Sequence, residues 1–176
     1  MLPNANDVTG VDRKIRVLMV CLGNICRSPT AHGVLEKLIQ NKGLSESIEV
    51  DSAGTSRYHL GDHPDPRSIA AAQRRGYSLQ EQTARQVSTN DFSDFDYVLA
   101  MDADNLHQLE DVAPSGCKAK VQLLLDYSPD ATESVPDPYF GSDGQGFERV
   151  LDLVEDACRR LLEQLERELP NAETEQ

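Results

Sequence analysis

Cys21-Leu22-Gly23-Asn24-Ile25-Cys26-Arg27-Ser28 brings a nucleophile, a permanent cation and a hydroxyl into one short run. Between a strand end and a helix N-terminus, such a run turns backbone N–H groups inward and forms a nest for an anion, and the helix dipole adds positive potential. The cradle suits a tetrahedral oxyanion. Gly23 and Asn24 are residue types that tolerate the left-handed backbone of a tight nest. Arg27 is expected to close the ring on two phosphate oxygens, which its planar guanidinium can do and a lysine cannot. At the base of the nest, the N–H groups that hold phosphate also stabilise a Cys21 thiolate, and the Ser28 hydroxyl adds a further hydrogen bond. Leu22 to Ser28 is therefore the expected phosphate-binding set, with Cys21 as nucleophile. Taken alone, a cysteine at a buried strand end is more often core, and a bare Cys-x5-Arg-Ser occurs by chance; Gly23, Asn24 and Pro29 in context select the chemical reading.

A thiolate cannot supply the proton that a leaving oxygen needs, and a carboxylic acid is the usual source. Asp137 stands out because Pro136 and Pro138 stiffen its loop and Tyr139 follows it. Other acidic residues read as solvated surface groups or caps.

These residues need a scaffold. Ile15 to Cys21 is a continuous apolar run suited to a central strand buried on both faces. Pro29 fits the first turn of the next helix; Ala31, Val34, Leu35, Leu38 and Ile39 recur at helical spacing, and Gly43 is a plausible stop. Ile48 to Ser52 predicts a second strand, and Asp65 with Pro66 the start of a helix that ends before Gly76. Tyr97 to Met101 predicts a third strand, with Asp102 capping the helix after it, and Ala119 to Leu125 a fourth. Ser128 to Gly146 carries Pro129, Pro136, Pro138 and three glycines and predicts a long functional loop. From Phe147 to Leu169 the apolar positions follow a 3.6 period, which predicts a long amphipathic helix closed by Pro170. Alternating strands and helices imply a single α/β domain over 14–170. Its parallel sheet is covered on both faces, with ligands at the carboxyl ends of the strands. Residues 1–13 read as a flexible leader and 171–176 as an acidic tail.

The chain has 176 residues, 17 Lys and Arg against 30 Asp and Glu, and a net charge of −13. That acidity argues against nucleic acid and anionic lipid as partners. Yet residues 1–87 hold 11 basic and 9 acidic side chains, while 88–176 hold 6 and 21. The deficit lies in the second half, away from the Cys21 loop, so one phosphate in a local nest remains compatible with it. The longest early apolar run, Val17 to Leu22, is too short for a membrane span or signal sequence. Cysteines at 21, 26, 117 and 158 lack zinc spacing, so no metal is expected, and a reducing cytoplasm is the expected location. Cys117 and Cys158 read as structural. The histidines at 32, 59, 63 and 107 share no spacing and carry no expected chemistry.

With its motifs assembled, the chain resembles the low-molecular-weight protein tyrosine phosphatases from about Ile15 to the last helix. The matching stretches are VCLGNICRSPTA at Val20 to Ala31, DSAGTS at Asp51 to Ser56, GDHPDPRS at Gly61 to Ser68, ARQV at Ala84 to Val87, DFDYVLAMD at Asp94 to Asp102, CKAK at Cys117 to Lys120 and DPY at Asp137 to Tyr139. The resemblance implies a flavodoxin-like, phosphotyrosine phosphatase I type fold with strand order 2-1-3-4. It also implies that Cys21 attacks phosphorus, Arg27 holds the phosphoryl group, and Asp137 serves as acid and then base. Tyr58 and Tyr139 would wall the substrate slot with Ile25, and Cys26 would form a reversible disulfide with oxidised Cys21. Phe140 departs from relatives that carry a second Tyr there. No cofactor is implied; the expected partner is a tyrosine-phosphorylated protein or a small aryl phosphate, met by a monomer.

Three competing readings fit the residues less well. Thioredoxin-coupled arsenate reductases share the Cys-x5-Arg loop but need further thiols, and Ser88 to Pro114 holds no cysteine. Phosphoarginine phosphatases tend to carry Thr where this chain has Ile25, whose apolar side chain favours an aromatic ring. A receiver-like signalling module would use Asp102, yet Cys21 stands where its acidic metal pocket belongs. A dinucleotide site at Gly141 to Gly146 lacks the preceding strand.

Overall fold

The computed structural model describes residues 13–129, 134–140 and 145–170. Four parallel strands lie in the order β2-β1-β3-β4: β1 at Ile15–Cys21, β2 at Ile48–Gly54, β3 at Tyr97–Ala100 and β4 at Lys120–Leu123. Helices α1 (Arg27–Asn41), α2 (Pro66–Arg74), α3 (Asp91–Asp94), α4 (Ala103–Val112) and α5 (Gln145–Glu168) complete the chain, with 3₁₀ turns at Leu124–Tyr127 and Pro138–Phe140. The expected fold class and strand order are both present. No helix among the described residues is long and apolar enough to cross a membrane.

The strands alternate between two cores. Val17, Met19, Cys21, Tyr97 and Leu99 face one side with α1 and α5, whereas Leu18, Val20, Val98 and Ala100 face Phe92, Phe95 and Leu109 on the other. Burial on both faces explains why the β1 run reads as continuously apolar. The stripe of α5 buries Phe147, Val150, Leu151, Val154, Cys158, Leu161, Leu162 and Leu165, as its period predicts. Cys158 is fully buried where α5 crosses α1, and burial pushes its thiol well up. Arg75, just past α2, ties that helix to α5 through Glu148, Asp152 and Glu155 at 2.7–2.9 Å.

Boundaries differ from expectation where tertiary partners decide them. The fourth strand is shorter than Ala119 to Leu125 because β3 ends at Ala100, which pairs with Leu123. Beyond that point β4 has no neighbour, and the chain turns to bury Leu124 and Leu125. Helix α1 begins at Arg27, two residues before Pro29. The first-turn N–H groups lack intrahelical acceptors, so the proline there removes no bond. The short α3, four residues long, carries no periodic signal. Asp65 and Asp102 cap as predicted, accepting from the N–H of Arg67 at 2.8 Å and of Asn105 at 2.7 Å. Of the expected leader only Arg13 is described, paired with Asp96 at 2.6 Å; the expected tail and the 141–144 part of the glycine run lie outside the described residues.

Candidate active site

The Cys21 loop sits at the carboxyl ends of the strands, between β1 and α1. Its backbone is pinned from one side: Thr55 N–H donates to the Cys21 carbonyl, and Ser56 N–H and hydroxyl both donate to Leu22 O, each at 2.9 Å. Gly54 permits this approach, since a Cβ there would stand 2.7 Å from Leu22 O.

Asn24 alone in the loop takes the left-handed conformation, with φ 57°. Three hydrogen bonds hold its buried side chain: Nδ2 donates to Ser28 Oγ at 2.9 Å and to Ser52 Oγ at 3.0 Å, and Oδ1 accepts from Arg85 N at 3.1 Å. These offset a strain of about 1–2 kcal/mol. Gly23 does not share that conformation, contrary to expectation. Its missing side chain instead leaves room for His59, whose Cδ2 lies 2.9 Å from where a Cβ would stand.

Cys21 is 3% exposed, with its sulfur 3.0 Å from Ser28 Oγ and 3.3 Å from the Asn24 N–H that donates to it. Arg27, 4% exposed, donates from Nη1 to Asp102 Oδ2 at 2.5 Å and to Val135 O at 3.2 Å, and its Nη2 lies 3.7 Å from Asp137 Oδ2. Burial works against the guanidinium charge, yet Cys21, Asp102 and Asp137 together raise its pKa. Asp137 accepts from Tyr139 N–H at 3.0 Å. Cys21, Arg27 and Asp137 line one cleft of about 260 Å³, together with Ile25, Tyr58 and Tyr139. Leu22, Gly23 and Cys26 complete most of its surface. The expected catalytic trio thus shares one cleft, whereas Asn24 and Ser28 of the expected phosphate-binding set are buried and do not line it.

Cys26 differs from Cys21 in its surroundings. Burial pushes its thiol up to about 12, and the charge of Asp65 adds to the shift. Arg67, held by Asp65 at 2.9 Å, stacks over the Tyr139 ring at 5.6 Å and over Phe147 at 4.9 Å, which braces that wall.

Residues 16–171 match the low molecular weight phosphotyrosine protein phosphatase family. The chain belongs to that family. It is 44% identical over 149 residues to the human low molecular weight phosphotyrosine protein phosphatase, covering 84% of this chain and 93% of the human one. A crystal structure of protein tyrosine phosphatase from Entamoeba histolytica, with Hepes in its active site, superposes with a TM-score of 0.84 at 44% identity, covering 88% of this chain and 99% of that one. The structure of an arginine phosphatase from Drosophila superposes with a TM-score of 0.81 at 34% identity, over 86% and 98%. This low-molecular-weight protein-tyrosine-phosphatase is a hydrolase.

Sequence reasoning missed several residues around the phosphatase site. The sequence marks Asp102 as a cap and as the acid a receiver-like module would use, yet its second carboxylate oxygen holds Arg27; the signal is an acid just past β3, the strand beside β1. His59 lines the cleft, its ring 6.4 Å from that of Tyr139 at 55°. Its neighbour Tyr58 was the available clue. Ser52 and Arg85 lie in matched family stretches, but their contacts with Asn24 leave no trace in spacing.

Proposed function

We propose that the protein hydrolyses phosphotyrosine in two displacements. Cys21 sulfur attacks phosphorus, the bond from phosphorus to the tyrosine oxygen breaks, and Asp137 gives that oxygen a proton. Asp137 then takes a proton from water as the water oxygen displaces sulfur, releasing inorganic phosphate and the Cys21 thiolate. A covalent intermediate divides one hard displacement into two easier ones. Arg27 and the loop N–H groups stabilise the charge on the equatorial oxygens.

The observation that carries this reading is the convergence of Cys21, Arg27 and Asp137 on one cleft. Asp102 and Val135 hold the guanidinium in place before substrate arrives, so little ordering remains for the binding step. Ile25, Tyr58 and Tyr139 supply apolar walls for an aryl ring, which supports phosphotyrosine over phosphoarginine although an arginine phosphatase shares the fold. The substrate is a tyrosine-phosphorylated protein or a small aryl phosphate. Four free thiols fit a reducing cytoplasm. After peroxide converts the Cys21 thiolate to a sulfenic acid, Cys26 condenses with it, water leaves, and the disulfide shields Cys21 from further oxidation.

Hydrolysis of p-nitrophenyl phosphate without added metal tests the mechanism. Cys21→Ser is expected to lose activity by about 10³-fold or more, and substantial residual turnover would defeat the covalent path. Asp137→Ala should lower kcat by about 10²-fold while the fold persists; an unchanged rate on phosphotyrosine reassigns the acid.

A further inference from the structure

Positive charge also gathers far from the cleft. A cavity of about 450 Å³ opens at the amino ends of the strands and shares no lining residue with the cleft. Ile15 starts β1 there, whereas Cys21 ends the same strand, so about 20 Å separates the two places. In a chain with a net charge of −13, four cations line this cavity against two carboxylates: Arg13, Lys14, Lys118 and Lys120 against Asp96 and Glu168. Such a local excess attracts an anion that the molecule as a whole repels.

The cations form two pairs on either side of β3. Arg13 and Lys14 precede β1, whereas Lys118 precedes β4 and Lys120 starts it. Because β3 runs between those strands, they lie about 9–10 Å apart at ordinary spacing. Each pair meets one carboxylate. Asp96 holds Arg13 at 2.6 Å and also accepts from the Arg16 N–H at 2.9 Å, which fixes it on the β1 side. Glu168, at the end of α5, lies 3.7 Å from Lys120 Nζ and accepts from the Tyr97 hydroxyl. The Lys120 ammonium also stands 5.1 Å over the Tyr97 ring. Lys14, half-buried, and Lys118 pair with no carboxylate among the described residues. One positive charge thus remains on each side of β3. We propose that this cavity is a binding site for a short linear polyphosphate of two or three phosphoryl groups, free or carried by a nucleotide, which spans β3 with one end on each pair.

A single phosphate satisfies one pair, whereas a short chain reaches both. The lysines meet phosphoryl oxygens as compact point charges, and Arg13 adds planar donors. Existing partners already hold Arg13 and Lys120, so binding has mainly Lys14 and Lys118 left to order. Charge limits the length of the ligand. Residues 88–176 carry 21 acidic side chains against 6 basic ones, so a long polyanion leaving the cavity meets repulsion, and a short one stays between the two pairs.

Tripolyphosphate, added without metal to the isotope-labelled full chain, tests the site by NMR; binding here is independent of the phosphatase reading. The backbone amides of Lys14, Lys118 and Lys120 are expected to shift along a saturable curve, while those of Gly23 and Ile25 report the catalytic nest separately. Unmoved lysine amides overturn the inference, whatever the nest does. In the double variant Lys14→Gln with Lys118→Gln, affinity read at the Lys120 amide should fall by about tenfold or more, with the Gly23 response retained. Unaltered affinity in that variant also overturns the site. Orthophosphate should bind at these lysines about tenfold more weakly than tripolyphosphate, and equal binding defeats the two-ended grip. ATP separates the sources: a tighter complex than with tripolyphosphate assigns the site to a nucleotide, and an equal or weaker one to the free chain.

Discussion

At the scale of single residues, neighbouring positions in the loop have separate tasks. Asn24 bears the left-handed turn, Gly23 makes room for His59, and Arg27 is held by two fixed acceptors. The residue types were legible because each carries its own chemistry, whereas the hold of Asp102 on Arg27 was not, since nothing in spacing shows that a capping carboxylate has a second partner across the sheet. Cys26 adds a measurable pH effect. With its thiol pushed up to about 12, only a small thiolate fraction exists at neutral pH, and that fraction grows with pH. Closure of the disulfide on peroxide-treated enzyme should therefore accelerate by about tenfold per pH unit through the neutral range. Trapping of Cys21 sulfenic acid with dimedone against time reads this directly, and a closure rate independent of pH would assign the attack to the neutral thiol.

At the scale of elements, long periodic segments were readable and short ones were not. The alternating faces of β1 and the stripe of α5 follow from burial that repeats along many residues. The short α3 and the end of β4 depend on what neighbouring segments do, as the Ala100 and Leu123 pairing shows. Gly54, which ends β2 beside the loop, tests the contact between these elements. In Gly54→Ala the new methyl would stand 2.7 Å from a backbone oxygen that two donors already hold. Urea denaturation should show a loss of about 1–3 kcal/mol, with a kcat decrease from the displaced loop. Unchanged stability and rate would mean that the loop yields freely.

At the scale of the whole molecule, charge is divided along the chain, and the strongly acidic half supplies α4 and α5. Its pH response should nevertheless have a component from one buried group. Burial holds His32 below its ordinary 6.5, so on acidification the unfolded chain takes up that proton first. The stabilisation from neutral His32 is full above about pH 6.5 and declines as pH falls towards the folded-state value. Chemical denaturation at a series of pH values should show this slope, flattened in His32→Gln. An identical slope in the variant would place the effect on the carboxylates.

Val135 N–H donates to Met101 O at 2.8 Å, while its carbonyl accepts from Arg27. Asp137 follows only two residues later, and a chain extends about 3.3–3.6 Å per residue. Asp137 thus hangs on a tether of roughly 7 Å, fastened at its near end to Met101 just past β3, the neighbour of the strand that ends in Cys21. Its travel is comparable to a side chain's own length, so in the proposed mechanism proton delivery by Asp137 requires no folding over of a distant flap.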